Sequence, residues 1–284
     1  MRGDNCPLSF LFRRCCVIVK GMVDIHCHIL PGLDDGSDSL ETSLEMAEMA
    51  IADGVTHVVA TPHANSDYDF VPELMRTRRD EIQAQLGERL RILMGCDFHL
   101  SFENVKALRT EPKIFTLNQG DYLLVEFANF AIPASMDQTL HELQLLGLHP
   151  IITHPERNPL IRSQWERLWG WLRQGCYVQV TAQSVTGGFG RRAQQAAELL
   201  LESKAVHFVA SDAHNLTTRP LRLKPVYDAL AESSGEKLAR ALLEENPRAA
   251  VESQPLPYVP EPKDWKKAQS EVEAEPSRKR FWFF

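Results

Sequence analysis

The stretch MVDIHCHILPGLDDGS, residues 22–37, runs from an apolar segment into His26 and His28, two positions apart, and then into Asp34 and Asp35 within a turn-forming LDDG. In an extended chain residues i and i+2 face the same side, so both imidazoles can address one ion. An HxH pair alone serves equally well as two strand-end histidines bonded to backbone groups. The rest of the chain separates these readings. Six further apolar runs recur: THVVAT (56–61), LRILMG (90–95), YLLVEF (122–127), HPIIT (149–153), CYVQV (176–180) and VHFVAS (206–211). Between the first two strands, SDSLETSLEMAEMAIADG offers Ser or Asp as an N-cap, Leu40, Leu44, Ala47 and Ile51 at helical spacing, and Gly54 as a stop. Comparable helices are predicted over 71–86, 134–147, 160–174, 189–203 and 224–244. Crossovers of this length suit parallel strands, and the alternation predicts an α/β fold with a parallel sheet or barrel.

The 284 residues, 44% hydrophobic and 24% charged, fit one barrel domain, which takes roughly 200–400 residues. A formal charge of -7 argues against a broad nucleic-acid surface, which needs clustered Lys and Arg. Six scattered cysteines without a CxxC pair favour a reducing, cytoplasmic setting. The N-terminal CPLSFLFRRCCVIVK is broken by Arg13 and Arg14, too short to span a bilayer and poor as a signal peptide. Residues 1–21 read as an extension or a mis-assigned start upstream of Met22, 22–250 as the barrel, and the proline-rich 251–284 as an extended or disordered tail. Its terminal RKRFWFF combines three cations with aromatic residues, a pattern that suits a membrane surface or a protein partner as well as a disordered end.

Metal-type side chains follow six of the seven runs: His26 and His28, His63, Asp97, Glu126, His154, and Asp212 with His214. In a parallel barrel the carboxyl ends of the strands form one rim, so residues distant in sequence converge there. Asp212 and His214 repeat the i, i+2 geometry of the opening pair and combine a hard oxygen with an imidazole. Without a shared purpose, so many polar groups on one rim would be costly. One of Asp34 and Asp35 joins them in this reading. His57, His141, His149 and His207 fall at strand starts or on helices and are left outside the site.

As an ordered set, MVDIHCHILPGLDDGS, VATPH, LLVEF, THPER and SDAHN resemble the polymerase and histidinol phosphatase (PHP) superfamily, specifically its capsule-type bacterial protein-tyrosine phosphatases, from residue 22 to about 250. The resemblance implies a distorted (β/α)7 TIM-like barrel of the PHP type. It implies three divalent metal ions, Mn²⁺ first and Fe or Zn as competitors, that supply a bridging hydroxide to attack phosphotyrosine. The implied partner is a bacterial tyrosine kinase governing capsule or exopolysaccharide synthesis. Carried over by position, the first metal takes His26, His28, Asp97 and Asp212, the second Asp97, Glu126 and His154, and the third Asp35, His63 and His214. Asp97 departs from the family, which usually places a glutamate there. Arg157 and Arg219 are implied phosphate ligands; without the resemblance either reads as a surface or salt-bridge residue.

Cysteine phosphatases place their thiolate six residues before an arginine. At +6 from the six cysteines stand Phe12, Gly21, Met22, Leu33, Phe102 and Ala182, which excludes that chemistry. Cys27 and Cys96 read as packing residues turned away from the rim. Two other readings stay open: a histidinol-phosphate phosphatase or related phosphoesterase sharing these ligands, and a metal-binding regulatory module without turnover.

Overall fold

The computed structural model describes residues 21–274. The first strand, β1 (Met22–Cys27), is followed by α1 (Leu40–Asp53), β2 (Val55–Ala60), β3 (His63–Ala64), α2 (Pro72–Leu86), β4 (Arg91–Met94), β5 (Asp97–His99) and α3 (Phe102–Thr110). Then come β6 (Tyr122–Glu126), α4 (Ser135–Leu145), β7 (His149–Thr153), α5 (Pro159–Arg162), α6 (Trp165–Arg173), β8 (Tyr177–Thr181), α7 (Ala182–Thr186) and α8 (Arg191–Glu202). The chain continues through β9 (Phe208–Ala210), α9 (Lys224–Ser234), α10 (Glu236–Arg240), a π-helical turn at Ala241–Glu245, α11 (Asn246–Val251) and α12 (Trp265–Ala274).

All strand pairs are parallel, in the orders β1-β2-β4 and β3-β5-β6-β7-β8-β9. Among the described residues, nine strands occupy the seven expected positions. Pro62 has no N–H to donate and interrupts one strand between β2 and β3, while Gly95 and Cys96 interrupt its neighbour between β4 and β5. Backbone bonds from Gly95 N to Ala60 O (2.9 Å) and from Asp97 N to Pro62 O (3.2 Å) carry the pairing across both breaks. A Cβ at Gly95 would lie 2.9 Å from a Val59 methyl, so only glycine fits this approach.

Between β9 and β1 the ladder shrinks to one bridge, Cys27 to Ala213. Asp212 N donates to His26 O and His28 N to Ala213 O, both at 2.9 Å. Beneath them the buried Asp24 Oδ1 accepts from Ser211 N (3.1 Å) and His26 N (3.3 Å). The result is a (β/α)7 arrangement distorted at the seam where the richest site segments meet.

Burial follows strand alternation. Val23, Ile25, Val59, Tyr122, Leu124, Ile151, Phe208 and Ala210 share one buried cluster, on the inner face of the strands. Val58, Ala60, Ile92, Leu123, Val125, Ile152, Val178, Val180 and Val209 belong to the other, beneath the helices. Cys27 and Cys96 are free thiols in this outer cluster, as packing residues.

Helix α1 starts on Ser39, whose side chain accepts from Thr42 N, and ends on Gly54 at φ 85. Its buried stripe is Ser43, Met46, Ala47 and Ala50. The stripe expected from Leu40, Leu44 and Ile51 is rotated from this, and those residues are only partly buried. Met46, fully buried, alone contributes roughly 1.5–3 kcal/mol of transfer free energy. The predicted helix over 160–174 divides at Ser163–Gln164, and that over 224–244 at Gly235, φ 93. Helix α3 has no counterpart in the expected set.

The chain beyond residue 250 corrects the expected tail as far as it is described. Leu256 is buried in the inner cluster, Asn246 exchanges hydrogen bonds with the Tyr258 backbone, and Lys263 is held by Ser203 O and by Trp169 Nε1. Trp265 and Ala268 of α12 then pack on the core. Prolines rule out helix before 263, but side-chain bonds replace the missing ladder. The extension 1–20 and the terminal RKRFWFF lie outside the described residues. Among the described residues no helix is long and apolar enough to cross a membrane.

Candidate metal centre

Strict alternation from the inner-face residues Val59 and Leu124 carries His63 and Glu126 onto the inner face at the rim. Four side chains, His26, His28, His154 and Asp212, reach it through irregularities. β1 shifts register between Asp24 and Cys27, so His26 and His28 face inward although Val23 and Ile25, of opposite parity, also do. His154 adopts φ 33 and Asp212 φ 50, left-handed values that cost a non-glycine residue about 1–3 kcal/mol and cluster at functional sites. Backbone bonds from His154 N to Gln179 O (2.8 Å) and from Asp212 N to His26 O hold both.

Three groups of ligand atoms converge: His26, His28 and Asp97; His63, Asp97 and Glu126; and His28, Asp35, His63 and His214, each within 4.8 Å of one another. Asp97 joins the first two, with Oδ2 3.5 Å from His26 Nε2 and 3.2 Å from His63 Nδ1. Asp35 Oδ1 lies 3.4 Å from His63 Nε2 and 3.5 Å from His214 Nε2. Two expected ligands stand at the edge. His154 Nε2 is 3.8 Å from Glu126 Oε1, and Asp212 Oδ1 is 3.5 Å from both His26 and His28 Nε2. The other oxygen of Asp212 is taken by Arg157 and Arg219, the latter at 2.6 Å. These arginines are salt-bridged at the mouth rather than loose on the surface. His57, His141, His149 and His207 join none of the three groups.

The donor set fits cations on one observation above all. Both carboxylate oxygens of the fully buried Asp97, Nδ1 of His63 and Nε2 of His214 are buried without a hydrogen-bond partner. Buried polar atoms are seldom left so, and mixed imidazole and carboxylate donors suit divalent ions of the Mn, Fe and Zn type.

Electrostatics agree. Burial opposes charge on His26, but Asp97 and Asp212 outweigh it and raise the imidazole to about 9. His63, likewise buried, is raised to about 11 by Asp35, Asp97 and Glu126. Burial prevails at His154, which falls to about 3 with Arg157 adding to the effect, and at His214, which falls to about 4. Burial works against the Asp97 and Asp212 carboxylates, yet His26 foremost holds both well below their usual range. Two imidazolium protons thus offset the buried carboxylates, a role divalent cations fill on displacing them.

The family profile described as capsular polysaccharide synthesis, CpsB/CapC, matches residues 22–252. The chain belongs to the CpsB/CapC family. Among its CpsB/CapC relatives is the tyrosine-protein phosphatase YwqE of Bacillus subtilis, 35% identical over 227 residues, 78% of this chain and 89% of that one. The tyrosine-protein phosphatase CpsB of Streptococcus pneumoniae is 31% identical over 244 residues, covering 82% and 99%. A crystal structure from work on YwqE and CpsB, described as unique metal-dependent tyrosine phosphatases, superposes with a TM-score of 0.80 at 34% identity over 85% of this chain and 98% of that one.

Sequence reasoning missed the residues that orient this CpsB/CapC site. His28 Nδ1 lies 2.7 Å from Asp34 Oδ2, which also accepts from His63 N at 3.0 Å, so Asp34 braces two histidines while Asp35 faces them. Gln179 Oε1 lies 3.0 Å from His26 Nδ1 and leaves Nε2 turned to the cluster. Glu156 Oε1 ties the THPER loop to β8 and α7 through Thr181 N (3.0 Å) and Ser184 Oγ (2.7 Å). A glutamine amid the apolar YVQVT was a visible signal; its partner, 153 residues away, was not.

Proposed function

We propose that the protein is a metal-dependent protein-tyrosine phosphatase of the cytoplasm. Its substrate in this reading is phosphotyrosine on a bacterial tyrosine kinase controlling capsule or exopolysaccharide synthesis. The observation that carries the reading is Asp97, a buried carboxylate without a hydrogen-bond partner between two histidine groups in a chain related to tyrosine-protein phosphatases. Buried free thiols are in keeping with a reducing compartment.

Three cations, Mn²⁺ first, are assigned to nine residues. His26, His28 and Asp97, with Asp212 beside them, hold the first; Asp97 and Glu126, with His154 and His63 adjacent, hold the second; Asp35, His63 and His214 hold the third. When bound, such ions supply activated water at neutral pH and polarise the phosphoryl oxygens. The chain's own groups do the rest. Gln179 and Asp34 fix the His26 and His28 rings, as orienting partners of metal-binding histidines do. Arg157 and Arg219 keep their guanidinium groups at the mouth through Asp212, with donors left over for phosphate oxygens.

Comparative hydrolysis of a phosphotyrosine peptide and histidinol phosphate by the Mn²⁺-loaded protein tests the substrate class. The expected result is preference for the peptide; greater activity on histidinol phosphate overturns it, and bound metal without turnover of either favours a regulatory module.

A further inference from the structure

Arg157 and Phe189 meet at the mouth of the metal centre. Arg157 lies in the THPER loop after β7 and Phe189 in the turn after α7, which itself follows β8, so the pair joins segments from neighbouring strands. The Arg157 guanidinium carbon sits over the Phe189 ring, 4.3 Å from its centre. The turn is shaped to hold that ring. Gly190 N donates to Gly187 O at 2.9 Å, and Gly187 and Gly190 take φ +89 and +81, left-handed values that favour glycine. A Cβ at Gly188 would come 3.2 Å from Gln183 Cβ, so the turn folds closely back onto α7. Glu156, beside Arg157, accepts from Thr181 N and Ser184 Oγ and ties α7 to the loop that carries the arginine.

A long arginine side chain, partly exposed as this one is, has rotamer freedom to lose before it can serve a ligand. Asp212 Oδ2 holds one edge of the Arg157 guanidinium, but that carboxylate also meets Arg219, His26 and His28. All five N–H donors of a guanidinium lie in its plane. A second carboxylate would take up more of them, whereas contact with a ring face takes none.

We propose that Phe189 is a positioning residue for phosphate binding: its ring holds the Arg157 guanidinium against Asp212 and leaves the remaining N–H donors to phosphoryl oxygens. This role rests on the phosphatase reading above, in which Arg157 binds phosphate. A cation–π contact at a partly exposed site is worth about three- to tenfold in an equilibrium constant.

The test is binding of methylphosphonate to the full-length Mn²⁺-loaded chain by calorimetry, with metal content and Tm measured alongside. This ligand has no ring of its own for Phe189 to touch. Phe189→Leu should weaken it about three- to tenfold with metal content and Tm retained, and Phe189→Tyr, which keeps the ring face, should bind as wild type does. In an Arg157→Ala background Phe189→Leu should cause no further loss. An equal loss with and without Arg157, or a loss that comes with lower metal content or Tm, assigns Phe189 to packing and overturns the proposal. A Phe189→Tyr variant as weak as Phe189→Leu also overturns it. Unchanged binding by Phe189→Leu, where Arg157→Ala is weakened, overturns it while leaving the phosphatase reading intact. An Arg157→Ala variant that binds as well as wild type overturns the phosphate role of Arg157 and this proposal with it, and a wild type that binds no phosphonate overturns the phosphatase reading too.

Discussion

Replacing Asp97 by asparagine removes one negative charge and keeps the shape of the side chain. The carboxylate is fully buried, with neither oxygen hydrogen-bonded, and Oδ2 lies within 3.5 Å of a histidine from each of two ligand groups. A unit charge about 4 Å from another is worth about 4 kcal/mol at the effective dielectric of ~20 suited to proteins. A dication losing this partner therefore loses at least about a thousandfold in affinity, at ~1.4 kcal/mol per tenfold. At Mn²⁺ a hundredfold above the wild-type Kd, binding stabilises the wild type by about 2.7 kcal/mol. At about 2–4 °C per kcal/mol for a chain of this size, its Tm should rise by about 5–11 °C. The same concentration is about a tenth of the variant's Kd, where linkage gives less than about 0.1 kcal/mol and no measurable shift. Without metal the variant should melt lower than wild type, because the imidazolium charges that Asp97 offsets at His26 and His63 lose that partner. Differential scanning calorimetry with and without Mn²⁺ reads both quantities. An Asp97→Asn protein that keeps more than half of the wild-type shift would refute the assignment of Asp97 to two ligand groups.

Gln179→Leu should leave the fold intact but free the His26 ring, lowering metal affinity and phosphatase activity together by about 10–100-fold, as seen when such orienting partners are lost; equilibrium dialysis and turnover check it, and activity within twofold of wild type would contradict it. His207, buried beneath β8, has its imidazole pushed down to about 4 by burial. Its neutral form stabilises the fold fully above pH 6.5, and that contribution falls as the unfolded chain takes up a proton the folded one refuses, by about 2 kcal/mol at pH 5. His207→Gln should therefore lose about 2 kcal/mol less than wild type in urea titrations between pH 7 and 5; parallel losses would contradict it. Truncation after Pro262 should destabilise the protein by about 1–3 kcal/mol, since it removes the bonds of Lys263 to Ser203 and Trp169 and the packing of Trp265.

The seven strand positions were legible because apolar runs and helical spacing are local properties. The clustering of the candidate ligands was legible because each falls where a run ends, so rim topology collects them without any knowledge of distance. Three kinds of feature were not. The register shift in β1 and the left-handed backbone at His154 and Asp212 depend on the seam between β1 and β9, whose partners lie nearly the whole barrel apart. The choice between Asp34 and Asp35 is made by His28 and His63 closing around one and leaving the other to face His214. The segment beyond 250 reads as unstructured by composition, yet Leu256, Tyr258 and Trp265 find the barrel surface, which composition cannot anticipate.

The central claim is that the clustered histidines and carboxylates hold the ions that hydrolyse phosphotyrosine. Metal analysis of the purified protein, coupled to phosphotyrosine-peptide hydrolysis with Mn²⁺ added or chelated, tests it most directly. The account predicts divalent metal in the active protein, loss of both metal and activity on chelation, and recovery of both with Mn²⁺. Hydrolysis indifferent to complete removal of metal would contradict it.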